Sequence, residues 1–156
     1  MFFEKLKNYN VLLASNSKRR QELLNQLGVE FKIIHQEIDE SFSNVLKSSM
    51  ITDYLAKKKS SILVKNLKKN DLLITSDTIV WHKNIALGKP KNRIEAFKMI
   101  KSLENSSHEV ITSICISTVN FQVIVNEKTL VFFDSIDEND LLYYTKTSDV
   151  LDRAGS

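Results

Sequence analysis

The chain has 156 residues, of which 42% are hydrophobic and 26% charged, so it is long enough for one globular domain and too apolar for an intrinsically disordered chain. Its three glycines are too few and too far apart for a P-loop or a Gly-x-Gly-x-x-Gly dinucleotide site. The net charge of +3 favours an anionic ligand but is too small to indicate a protein that coats nucleic acid.

Cysteine content and hydropathy bear on where the protein works. The one cysteine, Cys115, excludes an intrachain disulfide and a cysteine-rich zinc site, and it fits a reducing compartment. No apolar run approaches 18 residues, and the N-terminal sequence lacks the pattern of a signal peptide. We therefore expect a cytoplasmic protein, folded as a single domain over residues 1–156, with no membrane partner.

The first half of the chain alternates strand and helix patterns. An apolar run at 11–14 leads into a Ser-Asn-Ser segment and then into leucines at helical spacing up to Gly28, which predicts a strand, an N-cap, a helix and a C-cap. A second strand is predicted at 31–34. A second helix follows, because apolar residues recur at helical spacing over 51–63, with Lys58 and other lysines on the opposite face.

The second half begins with a strand and becomes rich in β-branched residues. A buried strand at 72–75 runs into Ser-Asp-Thr, an extended pattern resumes beyond it, and Asn92 and Glu95 are spaced as the capping box of a third helix. Three further strands are predicted in succession, at 108–118, 121–125 and 129–133. A short helix capped by Asp137 follows. This order of elements predicts a mixed α/β sheet with a hairpin-rich second half.

Hydroxyl and guanidinium groups cluster where the first strand leads into the first helix. They belong to Ser15, Ser17, Arg19 and Arg20. The free N–H groups of a helix start and the paired donors of adjacent arginines suit the oxygens of a polyphosphate. Spacing alone leaves a plainer alternative open, namely an ordinary N-cap followed by a solvated basic turn.

Asp77 is expected at the carboxyl end of a buried strand, where open α/β sheets bind their ligands. A carboxylate there can hold Mg²⁺ or take a proton from water, and Asp39 and Glu40 are candidate partners from another segment. In the alternative interpretation, Asp77 opens a turn and Asp39-Glu40 caps a helix. Lys89, within Leu-Gly-Lys-Pro, is expected to be held in a fixed geometry, whereas the lysines at 57–59 also fit a solvated helix face.

In their order along the whole chain, these segments resemble the Maf family of nucleotide pyrophosphatases, which is related in fold to the Ham1-type inosine triphosphatases. The matching segments are 13–20 (Leu-Ala-Ser-Asn-Ser-Lys-Arg-Arg), 22–24 (Glu-Leu-Leu) with Gly28, 38–40 (Ile-Asp-Glu), 55–56 (Leu-Ala) with Lys59, 76–80 (Ser-Asp-Thr-Ile-Val), 87–90 (Leu-Gly-Lys-Pro), 95–96 (Glu-Ala) and 108–112 (His-Glu-Val-Ile-Thr). The resemblance implies a mixed twisted sheet flanked by helices.

The resemblance also implies an activity, namely hydrolysis of a nucleoside triphosphate between its α and β phosphates with Mg²⁺ or Mn²⁺. Arg19-Arg20 and Asp77-Thr78 match the family branch that acts on dTTP and UTP. The site residues that it implies are Asp77, Lys59 and Lys89 for catalysis, Ser15, Ser17, Arg19, Arg20 and Thr78 for substrate binding, and Glu40 with Asp77 for the metal. Family analogy further implies a homodimer.

The sequence departs from the family pattern at three places. Lys18 stands where the family usually has proline, and Glu104-Asn105 replaces the usual Ser-Gly. The segment 149–156 resembles the start of the family's Asp-Lys-Ala-Gly-Ala-Tyr stretch. We therefore expect a C-terminally short domain that lacks the last strands and a specificity glutamine, either as a fragment or as a naturally short product, with reduced activity as one consequence.

Two other functions compete with the enzyme. The first is a catalytically impaired protein that uses the same pocket to bind a nucleotide or to regulate cell division. The second is a nucleic-acid binder that uses the basic face over 57–69, which we disfavour because the sequence contains no recognised nucleic-acid module.

Overall fold

The computed structural model describes residues 6–35, 37–147 and 149–156. Its strands are β1 (Asn10–Leu13), β2 (Lys32–Ile33), β3 (Asp71–His82), β4 (Ile85–Leu87), β5 (Ser106–Ser117) and β6 (Gln122–Phe133). Its helices are α1 (Lys18–Gln26), α2 (Ser49–Leu63), α3 (Arg93–Leu103) and α4 (Glu138–Tyr144), with 3-10 turns at Val64–Asn66 and Asp149–Asp152. Within these described ranges, no helix is long and apolar enough to cross a membrane.

The sheet contains both parallel and antiparallel pairs, as the sequence predicts. Its strand order is β2-β1-β3-β5-β6, and β4 pairs with β3. β1 runs parallel to both neighbours, so that Leu13 lies opposite Ile33 on one side and Ile74 on the other. β3 and β4 form an antiparallel hairpin whose two turn residues, Lys83 and Asn84, both have positive φ, the backbone that matches the twist of the flanking strands.

The chain divides into two compact units. The first comprises Met1–Leu46, Met50–Asp77 and Ser113–Asn126, and the second comprises Lys47–Ser49, Thr78–Thr112 and Glu127–Ser156. The strands β3, β5 and β6 each contribute residues to both units. The single domain expected over residues 1–156 stays a prediction.

In the first unit, a polar seam joins α2 to the sheet. Thr75 of β3 donates its hydroxyl to the carbonyl of Ala56 at 2.7 Å, and Ser113 of β5 donates to the Thr52 hydroxyl at 2.6 Å. These four residues are fully buried. A buried hydrogen bond that is broken on one side leaves an unpaired polar group, which costs about 1–3 kcal/mol. These two buried hydrogen bonds therefore fix the position of α2 along β3, and they also fix the position of the α2 side chains that contact the site.

In the second unit, α3 and α4 pack around a small apolar core. Its buried members are Ala96, Ile100, Leu141 and Val150. The predicted N-cap of α3 is confirmed, because the Asn92 side chain accepts from the Glu95 N–H at 2.9 Å. The second bond of the predicted capping box differs, because the Glu95 carboxylate accepts from the Lys91 N–H at 2.7 Å and not from the N–H of the N-cap residue. The predicted cap of α4 is also confirmed, since Asp137 accepts from the Asn139 N–H at 2.8 Å.

The prediction of three strands over 108–133 is wrong. Among the described residues this region forms two strands of twelve residues, β5 and β6, and the expected break near 126–128 is absent. The polar residues there contact α2 and the residue before it rather than forming a turn: Asn126 donates to both carboxylate oxygens of Asp53 in α2 at 3.1 Å, and Lys128 donates to the Ser48 hydroxyl at 2.9 Å.

Candidate active site

Asp77 lies in the middle of β3 rather than at its carboxyl end, so that expectation is wrong for β3 itself. The reason is that the Ser-Asp-Thr segment continues the strand to His82. β1, however, pairs with β3 only as far as Ile74, so Asp77 is placed three residues beyond the end of its parallel neighbour. This end of β1 is the position at which open α/β sheets bind ligands.

A buried ammonium group meets Asp77. Lys59 of α2 donates from its Nζ to Asp77 Oδ1 at 2.7 Å and forms an ion pair with Glu40 Oε1 at 2.8 Å. Its Nζ also lies 3.5 Å from the carbonyl oxygen of Ser76. The Asp77 residue is 6% exposed, whereas the Glu40 side chain is 63% exposed. One nitrogen therefore holds a buried and an exposed carboxylate in a single cluster.

The environment of Asp77 shifts its proton equilibrium. Burial raises the pKa of Asp77 above that of an ordinary aspartate, because a charge in a poorly solvated position is disfavoured. The ammonium of Lys59 acts most strongly to lower that pKa, the Glu40 carboxylate raises it, and the guanidinium of Arg20 lowers it. A carboxylate whose proton affinity is raised toward the working pH is suited to accept a proton during a reaction.

The start of α1 supplies positive charge beside this cluster. Arg20 donates from Nη1 to the Ser76 carbonyl at 3.0 Å and lies 3.5 Å from the Ser15 hydroxyl, while the Ser17 N–H donates to that hydroxyl at 3.2 Å. Within the described chain, the side chain of Ser17, the N-cap residue, makes no capping hydrogen bond, and no acidic residue lies in the first turn. Arg19 is exposed. The helix start is therefore arranged as an anion site is expected to be.

The remaining predicted site residues belong to the second unit. The hydroxyls of Thr78 and Thr112 lie 3.0 Å apart, and the ammonium of Lys89, whose side chain is 58% exposed, forms an ion pair with Asp152. The first unit thus brings together Ser15, Arg20, Glu40, Lys59 and Asp77, with Ser17 and Arg19 in the same segment of chain.

Two sequence-based interpretations need correction. Asp39 does not join Asp77, because its carboxylate accepts instead from the N–H and hydroxyl of Ser41 and from Lys58 Nζ at 3.1 Å. Lys58 is not on a solvated face, since its side chain is only 25% exposed. Successive helical residues point about 100° apart, so a run of three lysines cannot share one face, and this geometry was the available signal.

The donor set fits a divalent cation that arrives with a nucleotide. No group of three or more His, Cys, Asp or Glu side chains able to hold a metal ion occurs among the described residues. Mg²⁺, however, commonly takes only one or two protein carboxylates and completes its shell with phosphate oxygens and water. Asp77 and Glu40 supply two such carboxylates around the ammonium of Lys59, itself a bound positive charge.

Comparisons with known proteins bear on the family and the fold of this chain. The family model described as Maf-like protein matches residues 10–156. The dTTP/UTP pyrophosphatase of Flavobacterium johnsoniae is 44% identical over 156 residues, which is 100% of this chain and 80% of the relative. The enzyme of the same name from Christiangramia forsetii is 45% identical over 155 residues, 99% of this chain and 79% of the relative.

One solved structure bears on the fold. The Staphylococcus aureus Ham1 protein superposes with a TM-score of 0.55 at 14% identity, over 78% of this chain and 70% of that chain. This likeness confirms the α/β fold of the Ham1 type. The family is established by the match over residues 10–156 and by the relatives at 44% and 45% identity: the chain belongs to the Maf-like protein family.

Proposed function

We propose that this chain hydrolyses dTTP and UTP between the α and β phosphates and releases the nucleoside monophosphate and pyrophosphate. The observation that carries the proposal is the convergence of the buried Asp77 carboxylate with Lys59 and Arg20, in a chain whose relatives are named dTTP/UTP pyrophosphatases.

In this proposal, the reaction needs a base for water and positive charge for the phosphates. Asp77 takes a proton from the attacking water, because it places a buried carboxylate beside the ammonium of Lys59, which binds the phosphates. Lys59 and Arg20 stabilise the charge that builds on the phosphoryl oxygens. Arg19 and the N–H groups at the start of α1 bind the outer phosphates, and Ser15 and Ser17 add hydroxyl donors.

Mg²⁺ or Mn²⁺ is the proposed cofactor, and Glu40 and Asp77 are the residues that would hold it. When bound, such an ion neutralises part of the triphosphate charge that repels an incoming water. Glu40 serves this role from an exposed loop, and Asp77 from the buried strand. With an ion beside these two carboxylates, the ammonium of Lys59 would be available to bind phosphate oxygens.

We further propose roles for the second-unit residues and for the protein as a whole. Lys89 contributes to catalysis and Thr78 to substrate binding, in line with the family pattern of the dTTP and UTP branch. The protein acts in the cytoplasm as a single domain and a homodimer, with no nucleic-acid or membrane partner. The fully buried thiol of Cys115 is consistent with a reducing compartment.

Product analysis tests the activity. The purified chain is incubated with Mg²⁺ and each of the common nucleoside triphosphates, and the products are separated by ion exchange. We expect pyrophosphate with dTMP or UMP, and none of either from an Asp77→Asn preparation purified in parallel. Orthophosphate with a nucleoside diphosphate would contradict the cleavage site. Tight binding of UTP without turnover would instead favour a nucleotide-binding protein.

A further inference from the structure

A closed ring of contacts surrounds the loop that carries Glu40. Asp39 accepts from the N–H of Ser41 at 3.0 Å, from the Ser41 hydroxyl, and from Lys58 Nζ at 3.1 Å. Lys58 Nζ also donates to the carbonyl oxygen of Ser41 at 3.1 Å. These contacts join both neighbours of Glu40 to each other and to α2. We call Asp39, Ser41 and Lys58 the loop clamp.

The same helix also holds Glu40 itself. Lys58 grips the backbone and side chain on either side of Glu40, and the next residue, Lys59, contacts the Glu40 carboxylate at 2.8 Å. One turn earlier on α2, the ring of Tyr54 lies 5.8 Å from Lys58 Nζ, a distance at which a cation and an aromatic face attract. Two consecutive lysines therefore contact the loop at two separate points.

We propose that the loop clamp positions Glu40 for the divalent cation, and that Asp39 and Lys58 are positioning residues of the site. This inference rests on the proposed function. Glu40 is exposed, so without the clamp it samples many conformations, and binding a cation requires that freedom to be lost. Fixing the loop beforehand removes that requirement, which is the general effect of preorganisation.

The clamp is expected to act locally rather than on global stability. The Asp39 side chain is 72% exposed, and an exposed ion pair contributes little to folding. A variant that breaks the clamp should therefore fold normally and differ only in the loop and in what the loop binds.

The test compares Lys58→Met with Lys57→Met. Both remove one lysine from the same turn of α2, but Lys57 is exposed and lies outside the clamp, which makes it the matched control. Lys58→Arg keeps the charge and should rescue. Amide hydrogen exchange over 38–42 is measured first in metal-free protein. Mn²⁺ binding is then measured from the electron paramagnetic resonance signal of the free ion, with UTP carrying a methylene bridge between its α and β phosphorus atoms, and a protein-free titration gives the Mn²⁺ that this analogue binds by itself.

We expect faster exchange of the loop in Lys58→Met and a dissociation constant for Mn²⁺ about tenfold higher, the usual scale for losing a residue that supports a metal ligand. Excess Mn²⁺ should restore the wild-type turnover number for UTP, because Lys58 does not touch the reacting atoms. Lys57→Met should match wild type. Asp39→Asn should resemble Lys58→Met, and the double variant should be no worse than either.

Each arm can overturn the inference separately from the proposed function. Unchanged exchange over 38–42 in Lys58→Met would show that there is no clamp, whether or not the protein is an enzyme. Faster exchange with unchanged Mn²⁺ affinity would show a clamp that does not position Glu40. If exchange and Mn²⁺ affinity change as expected while wild type releases no pyrophosphate from UTP, the proposed function fails and the positioning role stands.

Discussion

The first and second units each bury a titratable side chain, and they treat it differently. Asp77 is 6% exposed and His108 is 7% exposed, and burial favours the neutral form of both. Asp77 faces two cationic side chains, which offset part of that preference. His108 faces His82, with ring centroids 6.5 Å apart, and any charge on this second imidazole adds to the effect of burial.

This difference in surroundings means that Asp77 can ionise, whereas His108 is kept neutral. The Asp77 carboxylate accepts a hydrogen bond from the ammonium of Lys59. In the second unit, His82 Nε2 and His108 Nδ1 are buried and have no hydrogen-bond partner within the described ranges. A charge on Asp77 is therefore compensated, whereas a charge on His108 is not, so we assign Asp77 to chemistry and His108 to the fold.

The largest expected effect comes from removing the charge of Asp77. Asp77→Asn should lower the turnover number for UTP by about 10³-fold or more, because the proton acceptor is lost. The melting temperature should stay the same or rise, since a neutral amide avoids the cost of burying a charge, which is what raises the pKa of Asp77. Steady-state kinetics and a thermal melt on the same sample measure the two quantities. A variant that loses activity together with stability would contradict the assignment.

The sequence predicts this cluster only in part, and the limits are physical. Helix periodicity and capping boxes are local signals, so α2 and the cap of α3 are found correctly. Strand breaks depend on partners far along the chain: Asn126 continues β6 because Asp53, 73 residues earlier, accepts its hydrogen bonds. The different contacts of Asp39 and Glu40 also depend on partners far along the chain, since Lys58 of α2 binds Asp39 and Lys59 binds Glu40.

A smaller effect is expected from removing Lys59, whose ammonium compensates the buried charge of Asp77. Lys59→Met should lower kcat/KM for UTP by about 10²–10³-fold, the usual scale for losing one group that stabilises transition-state charge. The acid limb of the pH profile should move to higher pH, because Lys59 is the strongest influence that lowers the pKa of Asp77. A limb at the wild-type pH would show that Lys59 does not govern the ionisation of Asp77. Lys57→Met, on the exposed side of α2, is the control.

The smallest effect is expected in the second unit, where the free energy of unfolding measured against pH reports on the buried, neutral His108. Burial, with His82 adding to it, lowers the pKa of His108 below that of an ordinary histidine, so the unfolded chain binds a proton more readily than the fold does. The free energy of unfolding should therefore fall as the pH drops below about 6.5, the pKa of a free histidine, with a slope of at most about 1.4 kcal/mol per pH unit for one proton.

The variant His108→Phe tests this expectation, because it keeps a ring against Phe133 and cannot titrate. Its urea-unfolding midpoint should therefore change less with pH than that of wild type. Because the site residues described in the first unit are unchanged, kcat/KM for UTP at pH 7.5 should stay within about twofold of wild type. An equal dependence of stability on pH in both proteins would show that His108 is not the buried group that is kept neutral.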